Sequence, residues 1–406
     1  MLYLDLISYH KSFSTNVMAK MELTAKLYQK KVLNKIKNDL VEGDNKAPFV
    51  IELDPTTVCD LACPGCISGD LLNQKNPLDR GFSKDKMSEI TNDIIKSKVT
   101  AVILIGGGEP LGHPTTIDLI KKLGENGIQI GLTTNGTLMG RHIDTIAKYV
   151  SWTRVSMDAG TDEMFKNLRP TKLGKSKFNI VIENMRELAR KKDGILGYSF
   201  LIRTKEDGLI ENAAGSNIGL INHTNIYEIY EAAKLAKEIG CDYFEVKPSY
   251  DDFHQLVMHS EKDMKIARDQ IEMAKTLEDQ NFRILESVML ESSLNREEIG
   301  NQNKKYKNCP SAELRTLITP SGAYVCPYFR GESSKKIGDL RFQTLTEMWN
   351  GEKRASVIEK LNPSKDCKTL HCIRHETNIQ LNDIMDMFKN KKEVKEKILP
   401  KKDYFI

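Results

Sequence analysis

Seven of the eight cysteines in this chain of 406 residues fall into two groups, and grouped thiolates hold metals. Cys59, Cys63 and Cys66 stand in a C-x3-C-x2-C run. Three ligands are one short of the closed tetrahedron of a structural zinc ion, which a distant histidine such as His113 would complete. On an iron–sulfur cubane, three thiolates leave one iron open, able to bind and reduce a ligand. Cys309, Cys326, Cys367 and Cys372 supply four thiolates, enough to close a [2Fe–2S] or [4Fe–4S] cluster or a zinc site. Cys241 stands alone and reads as a small buried hydrophobe.

Such ligands need elements to place them. From residue 49 short apolar runs alternate with helical segments. VIEL (50–53), VTAVILI (99–105), IQIGLT (128–133), WTRVSM (152–157), GYSFLI (197–202) and YFEVKP (243–248) read as six strands. Between them, Met87, Ile90, Ile94 and Ile95 share one helical face. Pro114 and Thr115 open a second helix with Ile117, Ile120 and Leu123 turned inward. This alternation means a parallel sheet with helical crossovers, as a barrel or a doubly wound sheet. In both, function gathers at the carboxyl ends of the strands. The first cysteine run directly follows VIEL, so it stands at such an end.

The rest of the chain is less regular. Met21 to Leu40 has roughly helical spacing, 254–305 reads as charged and helical, and the tail from 376 reads as helix ending in a solvated KNKKEVKEK run. The stretch 204–224, with Gly208, Gly215, Gly219, Asn212, Asn217 and Asn222, is long for a strand-to-helix connection and is a candidate lid. LRTLIT (314–319), Pro320-Ser321-Gly322 and AYV (323–325) read as a β-hairpin bracketed by the second cysteine group.

Polar residues mark the other strand ends. Gly107-Gly108-Glu109-Pro110 follows the second strand, Thr134-Asn135-Gly136 the third, and Ser156 and Asp158 the fourth; Val246-Lys247-Pro248 ends the sixth. Glu109 is an acceptor for an ammonium, and the glycines at 106–108 let backbone approach closely. With the cysteine run, these motifs, in this order over roughly residues 48–250, resemble the radical S-adenosylmethionine superfamily. The resemblance implies a [4Fe–4S] cluster on Cys59, Cys63 and Cys66, its open iron bound by the methionine amino and carboxylate groups. It implies cofactor contacts from Gly107, Gly108, Glu109 and Pro110 to the amino group, and from Thr134, Asn135, Ser156, Asp158 and the backbone at Val246. One departure is Gly65, where the family usually places an aromatic residue near the adenine.

The second cysteine group resembles the auxiliary-cluster domains of the same superfamily, called SPASM, and their shorter twitch form. The resemblance rests on Cys309, the hairpin, Cys326, Ile337-Gly338-Asp339-Leu340, Met348-Trp349-Asn350-Gly351 and the pair Cys367 and Cys372. Four cysteines imply one auxiliary cluster, of [4Fe–4S] type. The implied architecture is an α/β partial (β/α)6 barrel of TIM type followed by a small α+β twitch domain. It divides into a helical extension (1–48), barrel core (49–255), helical connector (256–308), auxiliary-cluster domain (309–375) and helical tail (376–406).

Composition narrows the partners. A net charge of +4, from 60 basic and 56 acidic residues, gives no case for nucleic acid. No apolar run approaches the roughly 20 residues that span a bilayer, and the first residues lack a signal peptide's pattern, so a cytoplasmic protein is expected. The resemblance implies reductive cleavage of S-adenosylmethionine, an electron donor such as a flavodoxin or ferredoxin, and hydrogen abstraction from a substrate. The expected substrate is small, polar and carbohydrate-like: an aminosugar, aminocyclitol or nucleoside sugar. The expected outcome is dehydrogenation, deoxygenation, decarboxylation or epimerisation. The first 48 residues are too short for a leader-peptide-binding domain. Modification of a ribosomally made peptide is the alternative, and a zinc-binding interaction protein is the non-enzymatic one. Tyr227, Tyr250, Asp251 and His254 lie near strand ends and read as packing or surface residues.

Overall fold

The computed structural model describes residues 23–66, 68, 76–205, 223–250, 256–297, 303–399 and 403–406. Its centre is one 10-stranded sheet. The strands are β1 (Val50–Leu53), β2 (Ala101–Leu104), β3 (Gln129–Thr134), β4 (Trp152–Ser156), β5 (Ile195–Leu201), β6 (Tyr243–Lys247), β7 (Arg283–Glu286), β8 (Arg315–Thr319), β9 (Gly322–Tyr324) and β10 (Lys336–Gly338). Strands β1 to β7 pair with their sequence neighbours, all parallel. Right-handed crossovers that always step the same way put every helix on one face. The sheet therefore curls around its other face, as in a barrel that does not close.

The outer face is apolar at every second residue. Leu53, Val102, Leu104, Ile130, Leu132, Val155, Tyr198, Phe200, Phe244 and Val246 share one buried cluster with helix residues. The helix Phe178–Lys191 contributes Phe178, Val181, Ile182, Met185 and Leu188, a stripe at helical period. The helix Lys84–Lys96 starts at Ser83, whose side chain accepts from the Lys86 amide. The helix Ile229–Ile239 stops at Gly240, which holds a left-handed φ of 93°.

Three sequence expectations are corrected. The connector 256–308 is not wholly helical: after the helix Glu261–Lys275 it supplies β7, a seventh barrel strand, and then a helix Leu290–Leu294. A four-residue strand with one buried position carries almost no alternation to read. The helix expected over Met21–Leu40 is broken at Gln29, which is extended, and its last turn is a π-helix over Ile36–Val41. The helix His375–Lys389 ends before the lysine-rich run, capped at Asn390 and followed by Lys391 at a left-handed φ of 56°. Beyond it, Tyr404, Phe405 and Ile406 return to the barrel, with Phe405 edge-on to Trp152.

The hairpin over β8 and β9 is present, and it extends the barrel sheet. β8 pairs in parallel with β1, from Val50 opposite Arg315 to Leu53 opposite Ile318. The second cysteine group is thus fastened to the strand that precedes the first. Arg330, beyond β9, also reaches back to Asp54 at 2.7 Å. Residues 206–222, most of the candidate lid, and Asp251 and His254 lie outside the described residues. No helix among the described residues is long and apolar enough to cross a membrane.

Candidate functional site

The loop after β1 brings Cys59, Cys63 and Cys66 to the carboxyl end of the sheet. It is pinned at both ends. Asp60 accepts from the Asn135 amide group at 2.8 Å, the Thr137 hydroxyl at 2.7 Å and the Lys177 amine at 2.9 Å. The Ala62 amide donates to the Pro170 carbonyl at 2.7 Å, and Arg203 donates to the Gly65 carbonyl at 2.8 Å. Gly65 has φ of 62°, a left-handed conformation that strains an aromatic residue. That accounts for glycine at the position where the family usually has a ring.

Gly107 to Pro110 stack directly on this loop. The Glu109 amide donates to the Val58 carbonyl at 2.9 Å. A Cβ on Gly108 would lie 2.3 Å from that same oxygen. The Glu109 carboxylate is buried and accepts from the Thr134 hydroxyl, the Asn135 amide and the Leu111 amide, at 2.6, 2.7 and 3.2 Å. Burial pushes it up to about 7. Asn135 also donates to the Cys59 sulfur at 3.7 Å. The expected glycine-rich turn, the Thr134-Asn135 turn and the first cysteine therefore form one connected unit.

Asp158, just past β4, holds a left-handed φ of 57°. It forms an ion pair with Arg169 and accepts from the Leu201 amide at 2.8 Å. Ser156 sits beside Ser199 of β5 on the inner face. Val246 faces the helices, and its carbonyl already accepts from Ser287 at 3.0 Å. Any contribution from it to a ligand is through backbone.

None of the eight cysteines is in a disulfide. Burial pushes Cys59 and Cys63 up to about 11 and raises Cys66 as well. Cys59 feels Cys63, Cys63 feels Cys66, and Cys66 feels Cys59, so the three form a closed set of electrostatic neighbours. The second group behaves alike. Burial pushes Cys309 and Cys367 up to about 12 and raises Cys326 and Cys372, and Cys372 acts on each of the other three. Among the described residues, no three His, Cys, Asp or Glu side chains close on a point as one metal ion requires. Buried, mutually opposed thiols fit a cationic cluster, which removes their protons on coordination.

Several contributors were not visible beforehand. Arg169 and Arg203 act electrostatically on Cys63 and Cys66, and nothing local in the sequence ties them to the cysteine run. His113 is no ligand candidate: its Nε2 is 2.8 Å from the Phe82 carbonyl. Tyr227 is exposed, Tyr250 is half-buried, and Cys241 is buried in the core as expected.

The family model described as the radical SAM superfamily matches residues 53–214, the span that carries this arrangement. That segment is a radical SAM domain. The chain is an enzyme, and the superfamily matched by this domain uses a [4Fe–4S] cluster and S-adenosylmethionine. A tungsten-containing aldehyde ferredoxin oxidoreductase cofactor-modifying protein from Pyrococcus furiosus is 31% identical over 88 residues, 21% of this chain. The chain spans only 24% of that relative's length. The AdoMet-dependent heme synthase of Methanosarcina barkeri is 24% identical over 353 residues, covering 79% of this chain and 87% of the relative. Among solved structures, Streptococcus suis SuiB bound to precursor peptide SuiA superposes with a TM-score of 0.56 at 16% identity, covering 88% of this chain and 77% of SuiB. That likeness is one of fold.

Proposed function

We propose that Cys59, Cys63 and Cys66 hold the open [4Fe–4S] cluster, and that Gly107, Gly108, Glu109, Pro110, Thr134, Asn135, Ser156, Asp158 and the Val246 backbone bind S-adenosylmethionine beside it. The observation that carries this reading is the Glu109 carboxylate, buried, stacked on the cysteine loop and held by Thr134 and Asn135. A buried carboxylate of raised affinity for protons is a ready partner for the methionine ammonium. Bound there, the cluster would supply the electron for reductive cleavage of the S-adenosylmethionine sulfonium. The chain's own residues do the rest. Glu109 orients the amino group, and the Asp158–Arg169 pair fixes the turn after β4.

Cys309, Cys326, Cys367 and Cys372 hold one auxiliary cluster in this reading. Its attachment through β8 to β1 supports it, because Cys309 and Cys326, on either side of the β8–β9 hairpin, then sit beside the strand that leads to the first group. The electron donor is a flavodoxin or ferredoxin. The substrate is a small polar, carbohydrate-like molecule received by the barrel interior. In its support, the inward positions Thr133, Arg154, Ser156 and Ser199 of β3, β4 and β5 are polar. The second reading is a peptide substrate, favoured by the likeness to SuiB bound to a precursor peptide.

The test is an anaerobic assay of reconstituted protein with dithionite and S-adenosylmethionine. Formation of 5′-deoxyadenosine and methionine, abolished in Cys63→Ala, is the expected result. No cleavage by protein with a full iron content contradicts the site assignment. Adding sugars in one series and peptides in another then separates the two substrate readings by which one raises turnover.

A further inference from the structure

The inside of the barrel has a surplus of hydrogen-bond donors. Its floor is filled: the Trp152 ring occupies the space above Gly131, the Tyr243 ring that above Gly197, and Phe405 stands edge-on to Trp152. Above the floor, the inward positions are Thr133, Arg154, Ser156, Ser199, Glu245 and Lys247, opposite in parity to the buried Leu132, Val155, Phe200 and Val246. Register sets Ser199 between Ser156 and Glu245, and Lys247 beside Leu201 at the carboxyl end of β6.

The negative groups here are already engaged. Glu245 pairs with Arg154 at 3.3 Å, and Asp158 pairs with Arg169. The donors are not all used. The Ser199 hydroxyl and the Arg154 Nε are buried with no hydrogen-bond partner, and so is the Tyr250 hydroxyl just beyond β6. Lys247 is half-buried and makes no side-chain hydrogen bond or ion pair among the described residues. Burial, reinforced by Arg154, pushes its amine down to about 8, while Glu245 and Asp158 pull the other way. It remains mostly protonated at neutral pH. An unmatched cation among unmatched donors is costly unless a ligand supplies the acceptor.

We propose that Lys247 pairs with a carboxylate of the substrate, so that the small polar molecule received by the barrel is an acid, gripped by that group. One ammonium and nearby neutral donors such as the Ser199 hydroxyl suit the two oxygens of a carboxylate. A phosphate asks for more donors, commonly an arginine fork or a helix terminus. The Arg154 fork is already turned to Glu245. The proposal rests on the reading of this barrel as the radical site. S-adenosylmethionine also carries a carboxylate, so the two sources must be told apart.

Lysine labelling does so on the anaerobic holoenzyme, with limiting acetic anhydride and mass spectrometry of the Lys247 peptide. Labelling is compared for protein alone, with S-adenosylmethionine, and with S-adenosylmethionine plus succinate, succinamide or inorganic phosphate. The expected result is that S-adenosylmethionine alone leaves Lys247 reactive. Succinate then slows its labelling about fivefold near four times its dissociation constant. Succinamide and phosphate do not. Protection by S-adenosylmethionine alone, by phosphate in preference to succinate, or by no carboxylate at any concentration overturns the proposal. Binding of S-adenosylmethionine is read in the same samples by equilibrium dialysis. Its absence sinks the underlying site assignment and this proposal with it, whereas its presence with an unprotected Lys247 sinks this proposal only.

Discussion

The Glu109 carboxylate lies 2.6 Å from the Thr134 hydroxyl, which joins the loop after β2 to the end of β3. That bond places a charge-bearing group under the cysteine loop, and its protonation has consequences. Burial raises Glu109 from 4.5 to about 7. Its proton therefore stabilises the fold below the unfolded value, and that contribution is lost as pH rises through about 7. Binding of an ammonium runs the other way, because it needs the carboxylate. The affinity of the holoenzyme for S-adenosylmethionine is expected to rise from pH 6 to pH 8 and then level off. Glu109→Gln removes the rise and weakens binding by about 10- to 100-fold, the worth of a charged hydrogen bond. Equilibrium dialysis across pH checks both; a pH-independent wild type counts against the role of Glu109.

Gly108→Ala tests the stacking of the glycine turn on the cysteine loop. The new Cβ would sit 2.3 Å from the Val58 carbonyl oxygen and 2.4 Å from the Thr57 carbonyl carbon. Backbone must move, at about 1–3 kcal/mol. The loop that moves carries Cys59, so iron incorporation falls along with the unfolding midpoint. A variant that loads iron normally shows that the turn and the loop are independent.

The Asp158–Arg169 pair predicts a loss from either side. Removing one partner of a buried pair leaves an uncompensated charge, at about 3–5 kcal/mol. Arg169→Met is expected to cost that much in anaerobic urea unfolding. Asp158→Asn keeps the left-handed φ of 57° and an acceptor for the Leu201 amide, but it leaves the Arg169 guanidinium, which cannot shed its charge, without a partner, and is expected to cost as much. An unchanged midpoint in either variant contradicts this assignment.

The barrel floor gives a prediction remote from the chemistry. Phe405 is buried and its ring centre is 5.4 Å from that of Trp152. Phe405→Ala is expected to destabilise the protein by about 3–5 kcal/mol. Thermal unfolding reads it directly; an unchanged midpoint means that the returning segment contributes no packing.

The sequence was most informative where one residue type carries one physical demand. Gly108 must lack a Cβ, Glu109 must accept, and the cysteines must be thiols, so these positions announced themselves. The six strands from Val50 to Lys247 were visible for the same reason, since each buries its alternate residues against helices. β7 was not, because Arg283–Glu286 buries only Ile284 and looks like the charged helices around it. Nor did anything local join β8 to β1, a pairing between residues more than 260 positions apart. Arg169, Arg203 and Arg330 were missed for that reason too: their partners, Asp158, Gly65 and Asp54, are set by folding and not by spacing. Lys247 stood in a motif read for its backbone, and only the pairing of every nearby carboxylate exposes its free amine.

Counting iron and sulfide in anaerobically purified protein tests the central assignment most directly, with the wild type set against a Cys59, Cys63, Cys66→Ala triple variant. The account predicts about eight irons per wild-type chain falling to about four in the variant, for one open and one fully ligated cubane. An iron content that does not change on removing those three thiols, or zinc in place of iron in the wild type, contradicts it.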